Sequence, residues 1–397
     1  MRVKFKPSDL SFATTLVQSV ANPQSSLPIL SNVLISTEHE NVVTLFATDF
    51  ETRIKIEVPA EVTRKGTVAL PAKTFGDLVR ELPEDGEMIL EARERGASMT
   101  CAGMHAELAC MPARDFPRVN DIDPDVTFDL AQRQLKRLIE KVLFAIPTRD
   151  PRKALVGALF KFRDGLLETV ATDGKILAFA SESVQSEFAP KDMSFIIHHK
   201  LLQELVKILG DEGNVTVALN EKQVSFQVGN ILIASNVIEA TYPNFEAVVP
   251  KRFARDLIFQ KPAMLVAIRR AAVMSDMKSL SVTMHFHGDT VTVESESTDR
   301  GTLSDEIPAE VNGDDFRMVF NYKFVQEALK AIDSDSISLR VNQIATPAVF
   351  CGVDATDNYY LVMPIKQQDL RDNPIRNRAE DPDDDEESYD DENAVEE

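Results

Sequence analysis

One stretch recurs three times along the chain, and this repetition restricts the possible folds more than any other feature of the sequence. Residues 170–178 contain a Thr-Asp pair at 172–173, which is echoed by the pairs at 48–49 and 298–299. The pairs are 124 and 126 residues apart, a spacing typical of one domain. We therefore predict three copies of one domain within the 397 residues.

A second echo, in three predicted helices, supports the repeat. The segments 73–82, 200–209 and 323–332 align without a gap, and each begins with Lys and has another basic residue seven positions later. Seven residues of α-helix turn the chain by about 700°, so the two cations lie on one face. Ordinary solvation of a surface helix explains one such pair well, but it explains three pairs in register less well.

Strand-like runs bounded by turn residues fill most of each copy, and two helical segments interrupt them. One long strand is expected at 26–36. Helices are expected at 8–20, 73–82, 131–146, 199–209, 262–275 and 323–332. The fold class is therefore α+β, with two helices packed on largely antiparallel sheets in each copy. We place the copies at 1–121, 122–252 and 253–367.

The net charge of −21 is distributed unevenly, and its distribution indicates the kind of partner. Residues 368–397 contain 14 acidic and 3 basic residues, so we predict a disordered acidic tail there. The helix expected at 131–146 instead has four cations against one acid, and that at 262–275 has two cations and no acid. The helix at 8–20 has no cation. This combination indicates a one-sided basic surface on an acidic protein.

Composition also bears on the compartment. No run of 18 apolar residues is present, and the N-terminal residues lack the apolar core of a signal peptide. The three cysteines have no C-x-x-C spacing and cannot all pair, which suits a reducing cytosol. We expect a cytoplasmic protein without a membrane span.

No set of residues has catalytic spacing. The chain lacks the phosphate-binding loop G-x-x-x-x-G-K-[ST] and the motifs G-x-G-x-x-G and G-x-S-x-G. Asp49, Asp173 and Asp299 recur in the three copies, but each lies where turn chemistry favours Asp and each belongs to a different domain. We predict no enzymatic activity and no cofactor.

The histidine pairs give only a weak metal signal. His285 and His287 alternate along one predicted strand, so both rings face the same side, but the sequence offers no clear third ligand. His198 and His199 lie at the start of a predicted helix, and we expect them on the polar surface. We predict no metal site.

Several separate motifs, in order, resemble those of the bacterial sliding clamps, the beta subunits of the replicative DNA polymerase. The resemblance covers nearly all of residues 1–367. It rests on the motifs at 26–34 (SLPILSNVL), 70–73 (LPAK), 111–117 (MPARDFP), 169–178 (TVATDGKILA), 242–245 (YPNF) and 362–365 (VMPI).

The resemblance implies a ring of two head-to-tail protomers, with sheets outside and helices lining a hole around double-stranded DNA. Cations on such helices would contact phosphates without reading bases, so binding would be independent of sequence and sensitive to salt. The cations expected near the channel or its rim are Lys73, Arg80, Arg133, Lys136, Arg137, Lys141, Arg149, Arg152, Lys153, Lys200, Lys207, Arg269, Arg270, Lys323 and Lys330.

The resemblance also implies an apolar groove between the second and third domains, which takes short linear peptides from the polymerase, the clamp loader and repair proteins. Its expected residues are Leu155, Thr172, Gly174, Lys175, Ile176, Leu177, Pro243, Ala247, Val248, Ala345, Pro347, Leu361, Val362, Met363, Pro364 and Ile365. Similar clamps often have Arg at the positions of Ile176 and Ala247, so a more apolar groove is expected here.

For the ring interface, the resemblance implies that Ala106 and Leu108 of one protomer meet Val273 and Met274 of the other. Similar clamps often have an aromatic residue near position 106, so Ala106 indicates a looser ring. Similar clamps usually end just after the Met-Pro-Ile motif, whereas this chain continues. The tail either serves solubility or adjusts electrostatically which nucleic acids and partners reach the protein.

Two other function classes compete with a DNA-encircling clamp. An enzyme on the repeated scaffold, such as a nucleotide hydrolase using Asp49 or Asp173, would need convergent acids or a metal site, which the sequence lacks. A scaffold that binds only proteins would leave the aligned cations unexplained. We therefore expect a processivity factor.

Overall fold

The computed structural model describes residues 1–37, 41–93, 96–119, 121–184, 190–276, 278–343 and 345–366. The acidic tail predicted at 368–397 lies outside these residues. Contacts divide the chain into two compact units. The first unit holds residues 1–174 and 178–243, and the second holds residues 175–177 and those from 244 onward.

The first copy of the repeat has nine strands and two α-helices among its described residues. In chain order they are β1 Arg2–Phe5, α1 Pro7–Val20, β2 Asn32–Ser36, β3 Val42–Thr48, β4 Thr52–Pro59, β5 Glu61–Arg64, β6 Thr67–Pro71, α2 Ala72–Arg80, β7 Met88–Arg93, β8 Gly96–Cys101 and β9 Met104–Leu108. Short 3-10 helices span Pro28–Ser31 and Ala113–Asp115.

The second copy repeats this order with four strands, instead of five, between its two helices. Its elements are β10 Val126–Ala131, α3 Gln132–Val142, β11 Gly157–Arg163, β12 Leu166–Thr172, β13 Ile176–Ser183, β14 Asp192–His198, α4 His199–Ile208, β15 Asn214–Leu219, β16 Gln223–Val228 and β17 Ile231–Asn236. Its 3-10 helices are Leu143–Ala145 and Lys153–Val156, and a further one at Phe245–Ala247 precedes the third copy.

The third copy gives the order a third time. It contains β18 Arg255–Gln260, α5 Lys261–Met274, β19 Ser281–His287, β20 Thr290–Ser297, β21 Gly301–Asn312, β22 Phe316–Asn321, α6 Tyr322–Ala331, β23 Ser336–Val341, β24 Ala348–Gly352 and β25 Asn358–Val362. The prediction of three sheet-dominated domains, each with two helices, is confirmed.

One sheet in the first unit lies within the first copy, and another joins the first two copies. One sheet has the order β5-β1-β7-β8-β9, and a second has the order β10-β15-β16-β17-β4-β3-β2-β6. The second sheet passes from one copy to the next where β17 pairs antiparallel with β4, with Ile233 opposite Ile54. The strands β14, β11, β12 and β13 are also neighbours in that order.

The second unit contains one continuous series of strands, in the order β25-β24-β23-β18-β21-β20-β19-β22. Strand β21 is long because it pairs with two different strands. Its first part pairs with β20 through residues 301–308, and its last part pairs with β18 through residues 309–312.

Each helix buries an apolar stripe against its sheet. In α1 the buried side chains include Leu10, Ala13, Leu16, Val17 and Val20, which have the spacing of one helical face. The residue Pro7 occupies the first turn, where its missing N–H costs no hydrogen bond. The helix therefore begins where the sequence predicts and packs by its apolar stripe.

Helices α1 and α2 approach closely at Gly76. The side chain of Gln18 on α1 donates hydrogen bonds to the carbonyls of Ala72 (3.1 Å) and Lys73 (3.0 Å) on α2. A Cβ atom at position 76 would collide with the amide group of Gln18. Glycine at this position thus lets one polar side chain join the two helices of the first copy.

The expected strand at 26–36 is wrong in its first half. Residues Pro28–Ser31 form a 3-10 helix, and the strand begins only at Asn32. Proline at the first helical position favours this turn, and the side chain of Asn32 donates to the carbonyl of Pro28 at 3.0 Å. The six expected helices are present.

Candidate functional site: the cationic helices and the turns of the repeat

The second helix of each copy carries an acid between its two cations. On α2 the order is Lys73, Asp77 and Arg80. The corresponding residues are Lys200, Glu204 and Lys207 on α4, and Lys323, Glu327 and Lys330 on α6. At about 100° per residue, the three residues lie within about 60° of one another around each helix. The face is therefore positive, negative and positive along its length in every copy.

The acid forms an ion pair with the second cation in all three helices. Asp77 pairs with Arg80. On α4 the side-chain nitrogen of Lys207 lies 2.8 Å from Glu204, and on α6 that of Lys330 lies 2.8 Å from Glu327. Sequence analysis found the cations but missed these acids, although the same position is acidic in all three aligned segments.

The first cation of each helix has a different environment. Lys73 and Lys323 are exposed, and neither forms an ion pair within the described residues. Lys200 is only half-exposed and pairs with Asp49 of the first copy. The face that the sequence predicted thus exists in each helix, but just two of the six cations are free of acidic partners in the part of the chain that the structure describes.

Caps at the N-termini of these helices differ from copy to copy. Asn321 accepts a hydrogen bond from the backbone N–H of Lys323 (3.0 Å), as capping residues do. At the equivalent position His198 accepts from the N–H of Lys200 through Nδ1 (3.2 Å). Pro71 in the first copy makes no side-chain cap.

His198 and His199, expected on the polar surface, are both partly buried. Burial lowers the pKa of His198, and the neighbouring His199 lowers that pKa further. Burial also lowers the pKa of His199, with a smaller contribution from Lys200. The neutral form of His198 suits its role as a hydrogen-bond acceptor.

The four predicted cations of α3 do not behave alike. Arg133 is exposed without an ion pair in the described residues, Lys136 lies 3.7 Å from Asp211, and Arg137 pairs with Glu182. Lys141 contradicts the expectation of a channel-facing cation, since only 6% of it is exposed. It lies on the buried face of α3, beside Leu138 and Val142.

Helix α5 presents two adjacent cations at its surface. Arg269 is exposed and has no ion pair among the described residues, whereas Arg270 lies 2.9 Å from Asp305. The C-terminus of this helix is capped by Arg300, which donates to the carbonyls of Val273 (2.8 Å) and Ser275 (3.4 Å). Arg300 therefore stabilises the C-terminus of α5.

The loop before β11 contains the remaining predicted cations. Arg149 and Lys153 are exposed, and Arg152 forms two hydrogen bonds of 2.8 Å with the carboxylate of Asp150. These hydrogen bonds lower the pKa of Asp150 to about 2. Arg152 also donates to the carbonyl of Asp173 at 3.0 Å, so it fixes the turn after β12.

The Thr-Asp turns of the first two copies each contain the same type of hydrogen bond. The hydroxyl oxygen of Thr48 accepts from the N–H of Phe50, and that of Thr172 accepts from the N–H of Gly174, both at 3.0 Å. Gly174 has φ +90°, and Phe50 has φ +73° although it is a bulky residue with a side chain about half exposed. In these two copies the sequence echo therefore reflects a repeated backbone geometry.

The residue after each turn repeats a second backbone contact. The N–H of Asn236, at the end of β17, donates to the carbonyl of Glu51 at 3.0 Å. The N–H of Met363, just after β25, donates to the carbonyl of Lys175 at 2.8 Å. The residue at the end of β17 and the residue just after β25 therefore make the same kind of backbone contact.

Asp49 forms an ion pair in addition to the turn hydrogen bonds that the sequence predicts. Its Oδ1 accepts from the N–H groups of Glu51 (3.1 Å) and Thr52 (2.7 Å), as the turn interpretation requires. Its Oδ2 pairs with Lys200 of the second copy. Sequence reasoning had no signal for this second contact, because the partners are 151 residues apart.

The residues expected to bind peptides divide into exposed and buried groups. In the first unit Gly174 and Pro243 are exposed, Thr172 is partly exposed and Leu155 is buried. In the second unit the exposed residues are Lys175, Ala247, Val248 and Ala345, and the partly exposed ones are Pro347, Met363 and Ile365. Ile176, Leu177, Leu361, Val362 and Pro364 are buried. The residues expected in the groove therefore include both exposed and buried side chains.

The residues expected at a ring interface lie on two elements. Strand β9 is at one end of its sheet in the described strand order, and it holds the partly exposed Ala106 and the nearly buried Leu108. Val273, at the end of α5, is an apolar side chain with 67% exposure, and Met274 is partly exposed.

Neither a metal site nor a membrane-spanning helix is present in the described residues. No group of three His, Cys, Asp or Glu side chains there has the arrangement of a metal site. Nε2 of His287 lies 2.8 Å from the hydroxyl of Thr292, so this ring has a structural partner. The helices within the described ranges are all too short or too polar to span a bilayer.

Comparison with known proteins gives one consistent result. Models of the N-terminal, central and C-terminal domains of the DNA polymerase III beta subunit match residues 3–120, 129–244 and 246–366. The beta sliding clamp of Synechocystis is 27% identical over 389 residues, which cover 92% of this chain and 99% of that protein. That of Pseudomonas putida is 27% identical over 356 residues, which cover 88% and 96%.

Solved structures agree with these relatives. The sliding clamp of Pseudomonas aeruginosa bound to griselimycin superimposes with a TM-score of 0.87 at 25% identity, over 92% of this chain and 99% of that one. The sliding clamp of Bartonella birtlesii bound to griselimycin gives a TM-score of 0.87 at 27% identity with the same coverage.

Proposed function

Because the chain belongs to the DNA polymerase III beta subunit family and functions as a DNA sliding clamp, we propose that two protomers close head to tail into a ring around duplex DNA. The observation that supports this most is the cationic helix face that recurs at equivalent positions in all three copies. Retention on nicked circular DNA, and release when that DNA is cut, tests the proposal.

The proposed DNA contacts are made by helix cations and by the rim loop. Such cations attract phosphates without reading bases, so affinity falls steeply as salt rises. The proposed set is Lys73, Arg80, Arg133, Lys136, Arg137, Arg149, Arg152, Lys153, Lys200, Lys207, Arg269, Arg270, Lys323 and Lys330. Within this set, the exposed cations without acidic partners in the described residues are Lys73, Arg133, Arg149, Lys153, Arg269 and Lys323. We expect these six to contact phosphate most directly.

Protein partners are proposed to bind through short linear peptides. On the second unit, the exposed Val248 and the partly exposed Met363 and Ile365 offer apolar contact area, and the exposed Lys175 offers a charge. Two similar clamps have been solved bound to griselimycin, and we propose that this chain binds the same ligand. Loss of griselimycin binding in Met363→Ala, with unchanged thermal stability, is the result expected; unchanged binding would contradict the assignment.

Ring closure is proposed to use the edge strand β9 of one protomer and the end of α5 in the other. Ala106, Leu108, Val273 and Met274 are the residues assigned to it. Val273 is the most exposed of the large apolar side chains in the described chain, so covering it favours association. Sedimentation of Val273→Asp as a monomer would support this interface, and an unchanged dimer would contradict it.

We propose that the domains are 1–121, 122–252 and 253–367, followed by the tail 368–397, and that the protein acts in the cytoplasm without catalysis. The tail is proposed to adjust partner access by charge. Deleting 368–397 and measuring peptide affinity at low and moderate salt tests this role, since unchanged affinity at both would exclude it.

A further inference from the structure

The acids between the paired cations suggest how the helices avoid holding DNA too tightly. We propose that Asp77, Glu204 and Glu327 compete with DNA phosphates for Arg80, Lys207 and Lys330, and so keep the ring mobile on duplex DNA. The inference depends on the proposed function, because it assumes that these helices face DNA. It adds a role for residues of the opposite charge.

The acid occupies the same position in all three helices. In each helix the acid lies three residues before the second cation and four residues after the first, on the same face as both. The observed pairs are Asp77 with Arg80, Glu204 with Lys207 and Glu327 with Lys330. A phosphate that approaches this face must displace the carboxylate from the cation, and it also meets the carboxylate as a like charge.

Two of these ion pairs contribute little to the stability of the fold. The side chains of Asp77 and Arg80 are 46% and 45% exposed, and those of Glu327 and Lys330 are 42% and 52% exposed. Exposed ion pairs are strongly screened by solvent and salt, so their effect on stability is small. Their recurrence in register is better explained by the charge that they present to a partner.

Positive charge remains on the helix faces when these pairs are formed. Each face keeps one net positive charge, carried on α2 and α6 by the unpaired Lys73 and Lys323. On α4 the corresponding cation, Lys200, is already paired with Asp49. The unpaired lysines of α2 and α6 attract the phosphate backbone without a tight contact at either helix. Weak and distributed attraction is what sequence-independent movement along DNA requires.

The test removes the exposed acids and keeps their size. The variant is Asp77→Asn with Glu327→Gln; Glu204 is left in place because its side chain is nearly buried. The matched control is Glu87→Gln with Glu294→Gln, which also neutralises one acid in each of the first and third copies. Those acids lie outside the helices, and each loses an ion pair, with Lys4 (2.6 Å) and Arg317 (3.5 Å).

Affinity for a short linear duplex is measured by fluorescence anisotropy across a salt series. We expect the helix variant to bind about tenfold tighter at low salt, with a salt slope steeper by about two units per protomer, since two cations gain phosphate contacts. The control should change much less. Equal tightening in both variants, or an unchanged slope in the helix variant, would overturn the proposal.

Failure of this inference can be told apart from failure of the clamp proposal. If the wild-type protein is retained on nicked circles but the helix variant binds like its control, only the role of the acids is wrong. If the wild-type protein is retained equally on circular and linear DNA, the encirclement on which the inference depends is wrong, and the inference is overturned with it.

Discussion

Lys200, in the first turn of α4, forms an ion pair with Asp49, which lies 151 residues earlier in the turn between β3 and β4. The pair joins the first and second copies next to the strands β17 and β4, whose pairing makes one sheet of both. Only 12% of the Asp49 side chain is exposed, so solvent screens this ion pair less than it screens Asp77 with Arg80 or Glu327 with Lys330. The acid of the pair between Glu204 and Lys207 is buried to a similar degree.

Changing Asp49 should separate its two roles. Asp49→Asn keeps an oxygen for the N–H groups of the turn but loses the ion pair, so we expect a loss of about 1 kcal/mol in the free energy of unfolding. Asp49→Ala loses both and should cost about 2–3 kcal/mol. Urea denaturation measures both. Asp299→Asn, at the equivalent and exposed position of the third copy, should change stability little; an equal loss there would contradict the assignment.

Arg269 should matter to DNA binding more than an arginine on the strands. Because it is exposed on α5 without an acidic partner in the described residues, Arg269→Ala should lower duplex affinity and reduce the salt slope by about one unit. Arg317→Ala removes an exposed arginine from β22 of the same copy and should leave the slope unchanged. A salt titration of duplex binding by both variants measures the difference. Equal effects of the two substitutions would argue against a DNA-binding surface formed by the helices.

Stability should depend on pH through the cap of α4. The pKa of His198 is lowered in the folded protein, chiefly by burial, so the unfolded chain takes up a proton first as the pH falls. The stabilisation is complete above the unfolded pKa of about 6.5 and is lost as the pH falls through the lowered folded value. Protonation also removes the Nδ1 acceptor that caps Lys200.

His198→Asn is the matched variant, because Asn321 caps the equivalent helix of the third copy. We expect the wild type to lose about 1 kcal/mol more than this variant between about pH 7 and pH 5, the usual value of one cap. Thermal unfolding in that interval measures the difference. Parallel pH profiles for the two proteins would show that His198 is not the titrating group.

Phe50 and Gly174 offer a reciprocal pair of substitutions in equivalent turns. Phe50 has φ +73°, a conformation that costs an L-residue with a side chain about 1–2 kcal/mol. Phe50→Gly should therefore raise the free energy of unfolding by about 0.5–1 kcal/mol, whereas Gly174→Ala at φ +90° should lower it by about 1 kcal/mol. Destabilisation by Phe50→Gly would mean that the exposed ring makes a contact that outweighs the strain.

Repetition made much of this fold predictable. The aligned segments at 73–82, 200–209 and 323–332 predict α2, α4 and α6 correctly, because three copies report the same apolar stripe. The start of β2 was displaced because the Pro28 turn overrides the β-favouring residues around it.

The candidate site was predictable only in part. Cations that share a helix face follow from spacing, but burial does not, which is why Lys141 was placed wrongly. The acidic partners of Lys200 and Arg270 lie on other elements, so no local sequence pattern predicts these ion pairs. The acids at 77, 204 and 327 were visible in the alignment of the copies, but only the ion pairs in the structure show what they contact.

The most direct measurement of encirclement compares circular and linear DNA. The protein is loaded onto nicked circular duplex and passed through a gel-filtration column, before and after the same DNA is cut once. We predict that it stays with the circles in moderate salt and is lost from the linear form, because a closed ring can leave DNA only over an end. Equal retention on both forms would mean ordinary surface binding and would contradict the account of this chain as a ring around DNA.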